Sequence, residues 1–173
     1  MKNRLVIGLV AVVCFQLLVL VGMYVKAALP IWTGDEVKVQ TIPVDPRSMF
    51  RGNYALLRYE FSELDTEINS ISQDLRHGEI VYVALKKNAE NDLYEFSQLL
   101  LDKPEEGVFI RGRAQGFRYS GQQHLRIKYG IEAFFAPKEK ALALEKELAD
   151  GGVAMLMIAK DGRARVIDVL PNE

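Results

Sequence analysis

The stretch VAMLMIAKDGRARVIDVL, residues 153–170, decides how this chain folds. Two strand-like runs flank Asp161-Gly162, a strong hairpin signal. Immediately before it stands PKEKALALEKELADGG, a segment that breaks the strand-like patterning. Pro137 suits a first helical position and Gly151-Gly152 a helix end. Ala141, Leu144 and Leu148 share one face while Lys and Glu fill the others, so the spacing predicts an amphipathic helix docked on a sheet.

Upstream, alternation of apolar and polar residues recurs over 37–42, 55–61, 79–86, 93–101, 108–115 and 125–131, with turn signals between the runs. In EIVYVALK, residues 79–86, Val81, Val83 and Leu85 fall on one face. A shorter helical turn is expected within 62–76, where Leu64, Ile68, Ile71 and Leu75 recur at helical intervals. Gly112, Gly116 and Gly121 are spaced as strand and hairpin punctuation and form no phosphate-binding loop. The fold class expected is α+β and strand-dominated: a curved antiparallel sheet or partly open barrel with one docked C-terminal helix. A single N-terminal transmembrane helix precedes it.

That helix follows from residues 5–25, which carry no charge. At about 1.5 Å per helical residue the run matches a bilayer core of about 30 Å. It exceeds the usual apolar region of a cleaved signal peptide, so a retained anchor is expected, although Val25-Lys26-Ala27 is a tolerable cleavage site. Lys2 and Arg4 place the N-terminus in the cytoplasm. The expected organisation is therefore a cytoplasmic stub and anchor over 1–26, a short tether over 27–36, and an extracytoplasmic domain over 37–173.

Composition narrows the chemistry. The 173 residues hold 22 basic and 23 acidic side chains, a net charge of −1, which gives no footprint for nucleic acid. One cysteine, Cys14, excludes an internal disulfide, and two separated histidines, His77 and His124, do not make a metal cluster. No metal and no cofactor is expected. His124, Arg126 and Lys128 share a face near Arg111, Arg113 and Arg118, either a solvated sheet face or a surface for anionic headgroups or an acidic partner.

The densest stretch is DPRSMFRGNYALLRY, residues 45–59. Ser48-Met49 beyond a proline turn in a membrane-anchored chain is similar to the type I signal peptidases, whose serine is activated by a lysine of lowered pKa. Lys86 and Lys87 are the candidates for that lysine. The competing reading makes Ser48 a turn hydroxyl bonded to nearby backbone. Period-two alternation points Ala55, Leu57, Tyr59 and Phe61 inward, so Leu57 and Tyr59 are expected in the core. Tyr54, with Arg47 and Arg51, is explained as well by binding as by structure. Asp45 can pair with these arginines around the turn, and Gly52 permits a backbone angle or close approach closed to other residues.

GNYALLRY, residues 52–59, resembles the motif of the bacterial GDYXXLXY family, whose function is uncharacterised. VDPRSMFRG before it, YGIEAFFAPKEKALALEKEL and the closing DGRARVIDVLP extend the resemblance over most of the chain. Asn53 stands where the family name has Asp, and Ser48 where an acidic residue is expected after Asp-Pro-Arg. A carboxylate role at position 53 is thereby lost, while a turn role survives in Asn. The resemblance implies a small protein anchored in the bacterial inner membrane with one periplasmic domain, and it carries over no catalytic residue. Family members are often encoded beside multi-pass membrane proteins, so the expected role is an accessory domain that binds a larger membrane protein. The hypothesised binding set is Asp45, Arg47, Arg51, Gly52, Asn53 and Tyr54. Two alternatives stand beside it: a Ser-Lys hydrolase using Ser48, and a barrel holding a small apolar ligand or lipid.

Overall fold

The computed structural model describes residues 2–43, 54–65, 75–119, 122–135 and 151–171. It begins with one helix, α1 (Lys2–Thr33), whose apolar side chains from Val6 to Val25 are exposed along its length. The segment Val6–Leu29 is long and apolar enough to cross a membrane. Gly34 alone separates α1 from β1 (Asp35–Thr41), so most of the segment expected to be a tether is helix.

The remaining strands are β2 (Tyr54–Leu56), β3 (Glu63–Asp65), β4 (Ile80–Lys87), β5 (Tyr94–Leu100), β6 (Val108–Tyr119), β7 (Gln122–Lys128), β8 (Ala133–Phe135), β9 (Gly152–Ile158) and β10 (Ala164–Pro171). Eight form one curled sheet, a half-barrel, in the order β10-β9-β1-β5-β4-β6-β7-β3, while β2 pairs with β8. This is the strand-dominated, curved architecture expected. The helix predicted over residues 137–150 lies outside the described residues. The Asp161-Gly162 turn joins β9 to β10 in antiparallel register, with Gly162 at φ +79°.

Within the sheet, β1 and β5 run parallel and the other pairs are antiparallel. The first strand after α1 therefore sits between the β9–β10 hairpin and the antiparallel block β5-β4-β6-β7. Period-two patterning supplies the core: Val37 and Val39 of β1, Val81, Val83 and Leu85 of β4, Ile127 of β7, and Ala154 and Leu156 of β9 are all buried. Val81, Val83 and Leu85 share that buried face as expected.

Two local features bend the sheet. Ile167 is an extra residue in β10 opposite β9, and Ser97 an extra residue in β5 opposite β4. Such bulges increase twist and bend the strand that carries them. At one end the curl is drawn together by the hairpin turn: the Arg111 amide of β6 donates to the Gly162 carbonyl at 2.7 Å. A side chain at Gly162 would lie 2.8 Å from the Phe109 ring, so the close approach requires glycine for space as well as for φ.

Two expectations need correction. Residues 55–61 do not form one strand: β2 ends at Leu56, Tyr59 makes an isolated bridge to Thr41, and Glu60–Ser62 is a 3-10 turn. The inward residues are nevertheless the predicted ones, because Ala55, Leu57, Tyr59 and Phe61 are all buried. The helical turn expected from residue 62 is also absent at its start, where Glu63–Asp65 pairs with β7 as β3. Leu64 serves a sheet face there, a position that a single residue's place in a helical pattern does not distinguish.

Candidate functional site

Asp45, Arg47, Ser48, Arg51, Gly52 and Asn53 lie outside the described residues. The Tyr54 backbone pairs with Phe135 across β2 and β8, but its side chain is not among those described. Leu57 and Tyr59 are 4 % and 0 % exposed, which fixes them as core residues.

The described part of the motif changes partner at almost every step. Residues Tyr54 to Leu56 pair with β8, after which the Leu57 amide donates to the Glu132 carbonyl at 2.7 Å. The Arg58 carbonyl then accepts from the Ile42 amide at 2.8 Å, just past β1. Tyr59 bridges Thr41, and its amide donates to Ser62 Oγ at 3.0 Å while the Ser62 amide returns to the Tyr59 carbonyl at 2.9 Å. The chain then enters β3 and pairs with β7. In about ten residues it stitches together the small sheet and two separate parts of the large one.

Aromatic side chains fix this seam. The Tyr59 and Phe61 rings stack at 5.4 Å with an interplanar angle of 9°, and the Tyr129 ring meets Phe61 edge-on at 5.3 Å. Tyr59 Oη donates to the Ile131 carbonyl at 2.7 Å, and Tyr129 Oη to the Phe61 carbonyl at 2.6 Å. Each phenol thus has an acceptor in an apolar setting, which buried Tyr requires. Glu132 buckles the turn opposite: its carboxylate accepts from the amides of Tyr129 and Gly130, with Gly130 at φ +83°.

Burial, with the Glu132 carboxylate adding to it, raises both phenols above their ordinary value of 10.0. A raised folded pKa means that the folded state keeps its proton where the unfolded state has lost it. This contribution is therefore intact below about pH 10 and declines as pH rises beyond it. Alkaline unfolding is expected to begin near pH 10, with phenolate absorbance from Tyr59 and Tyr129 appearing together with loss of circular dichroism. Titration of all seven tyrosines with the fold intact would contradict the seam described.

Beside the seam, Leu56, Arg58, Glu63, Arg126, Lys128 and Glu132 line much of a surface groove of about 230 Å³. Arg126 is committed to Glu63, donating from Nε at 3.1 Å and Nη2 at 2.6 Å. Arg58 and Lys128 are exposed and both line the groove. The face grouped from the sequence as basic is thus divided. Arg126 is neutralised, Arg113 Nη1 donates to the Gly78 carbonyl at 2.9 Å, and Arg111 lines a different cavity. The side chains of Arg118 and His124 are not among those described.

Chemically, the groove offers mixed-charge recognition. Among the described residues no group of three or more His, Cys, Asp or Glu is placed to hold a metal. Lys87 is bound by Asp92, and the hydrogen bond and charge of that carboxylate raise its pKa. A general-base lysine needs the opposite shift. The patterning had not singled out Tyr129, Gly130 and Glu132, although they stand in the stretch YGIE. Their signal is a glycine and an acidic residue next to an aromatic, the composition of a side-chain-capped turn.

A family model described as GDYXXLXY protein matches residues 16–169, from within α1 almost to the end of β10. No curated protein and no solved structure matches the chain.

Proposed function

Because this chain belongs to the GDYXXLXY family, we propose that it is a single-pass accessory protein that acts by binding a larger protein in the same membrane. Its α1 is a retained anchor of the bacterial inner membrane, the N-terminus is cytoplasmic, and residues 37–173 form a periplasmic domain. The observation that carries this reading is the short, contacted junction between α1 and the sheet. Only Gly34 separates helix from sheet, Ala28 is 6 % exposed, and Arg163 Nη1 and Arg165 Nη1 donate to the Lys26 and Ala27 carbonyls at 3.3 and 3.5 Å.

A flexible tether would let the domain search for soluble partners. A junction this short instead keeps the groove beside the motif close to the bilayer, which favours neighbours anchored in the same plane. Preorganisation of this kind lowers the orientational cost of association. The binding residues are Arg58 and Lys128, joined by the motif approach Asp45, Arg47, Arg51, Gly52, Asn53 and Tyr54.

The test is purification of the tagged full chain in mild detergent, followed by identification of co-purifying proteins. A specific multi-pass partner is expected. Arg58→Glu combined with Lys128→Glu should reduce its recovery at least about tenfold, since like charges across an interface cost several kcal/mol. Lys160→Glu, in the β9–β10 turn, should leave recovery unchanged. Absence of any specific membrane protein, or equal recovery with the groove variants, would overturn the reading. A C-terminal reporter active only in the cytoplasm would overturn the orientation.

A further inference from the structure

A second cavity, of about 280 Å³, lies where α1 meets the sheet. Lys26, Ala27, Arg111, Tyr129, Arg163 and Arg165 are among its lining residues. Four of these are cationic, drawn from three elements far apart in sequence. The carboxylate beside them is Asp161, which Arg163 binds through Nε at 2.6 Å. Asp161 also interacts with Arg111, and set against the four cations it leaves an excess of three positive charges among these described residues.

The arginines are positioned by backbone chemistry. Pro30 has no N–H, so the Lys26 carbonyl, four residues earlier in α1, loses its usual helical donor. Arg163 Nη1 supplies a replacement at 3.3 Å, and Arg165 Nη1 reaches the next carbonyl, Ala27, at 3.5 Å. Guanidinium groups carry five N–H donors each in a planar fork. Both side chains are therefore oriented while retaining donors for a further acceptor, and a fork of this kind matches phosphate oxygens.

The cavity also sits at a defined height. Residues 5–25 are charge-free and span about 30 Å as a helix, so Lys26 is the first charge beyond the apolar core. Tyr24 and Trp32 bracket it, with rings in edge-to-face contact at 6.3 Å. Paired aromatics of this kind mark the membrane–water interface. The volume is below the roughly 300–1,000 Å³ of sites for drug-sized molecules, and so fits a headgroup rather than a whole lipid.

We propose that this cavity binds the phosphate of an anionic phospholipid headgroup, clamping the domain to the bilayer surface beside its own anchor. The proposal rests on α1 being retained in the membrane. A free phosphate ion shares the recognition chemistry, but the height of the site assigns the lipid.

The test uses the full chain in phosphatidylcholine nanodiscs, with Trp32, its one tryptophan, as the reporter. Increasing amounts of phosphatidylglycerol are expected to shift Trp32 emission in a saturable manner. At about 1 kcal/mol per basic residue near an anionic surface, Arg165→Gln and Lys26→Gln should each move half-saturation about fivefold, and together about 25-fold. Lys160→Gln should not move it, and circular dichroism should show each variant folded. Saturation by inorganic phosphate in neutral nanodiscs, without preference for phosphatidylglycerol, would overturn the lipid assignment. Identical responses of wild type and the double variant would overturn the site. The intact mass of the membrane-extracted protein separates the two readings. A chain lacking α1 removes the anchor and this inference together, whereas an intact chain without lipid preference removes only the inference.

Discussion

Truncating Tyr59 to alanine is expected to destabilise the domain by about 3–5 kcal/mol, the range for deleting a fully buried aromatic. Tyr59 is 0 % exposed, stacks on Phe61 and donates to the Ile131 carbonyl. Its ring belongs to the buried core, and its backbone bridges Thr41 at the end of β1, so the chain around it is held on both sides. Tyr59→Phe keeps the ring and deletes only the donor, leaving the buried Ile131 carbonyl without its phenol partner. That variant should cost about 1–3 kcal/mol. Urea unfolding of the full chain in detergent, followed by circular dichroism, measures both. Equal losses for the two variants would mean that the ring contributes nothing, and the account of the seam as an aromatic junction would fail.

Gly112→Ala is expected to cost about 1–3 kcal/mol, toward the upper end. A Cβ at this β6 position would stand 2.9 Å from Tyr129 Cδ1 and closer still to Ile127 Cγ2. Both neighbours are constrained: Ile127 is 1 % exposed and Tyr129 is held by its bond to Phe61. Because the clash is pairwise, it has a diagnostic signature in a double-mutant cycle. Ile127→Ala alone should cost about 2–5 kcal/mol through its cavity. Combined with Gly112→Ala it should cost less than the sum, since the new methyl partly occupies the vacated space. Strict additivity would show that the two positions do not compete for the same volume.

The motif residues illustrate how far patterning reaches. Ala55, Leu57, Tyr59 and Phe61 face inward as alternation predicts, yet a regular strand carries them only as far as Leu56. Burial recurs at every second residue because successive backbone segments are extended, whichever partner they bond. Alternation reports the face and is silent about the partner. For the same reason the runs later forming β4, β9 and β10 were evident, while the parallel pairing of β1 with β5 was not. That pairing joins residues distant in sequence, and no local signal specifies it. The bulges at Ile167 and Ser97 are likewise products of curvature, which depends on what the strand wraps around. At the candidate site, the turn chemistry of Gly130 and Glu132 was present in YGIE but gained meaning only when Leu57 was seen to bond Glu132 across the seam. The basic residues were visible as a group. Their division depended on strand pairing, which sets Glu63 of β3 opposite Arg126 of β7 and leaves Arg111 of β6 lining a cavity beside α1.

The placement of β1 has a consequence for biogenesis. It is the first strand to follow α1, yet its full-length partner is β9, and Thr41 Oγ1 donates to the Gly152 carbonyl across 111 positions of sequence. A chain emerging N-terminus first cannot close its central sheet until nearly all of it has been synthesised. Until then β1 stands with Val37 and Val39 uncovered and one edge unpaired, a state open to wrong strand partners. Completion of the sheet is therefore coupled to completion of synthesis, and truncated chains lacking β9 should be recognisable to quality-control proteases by that open edge.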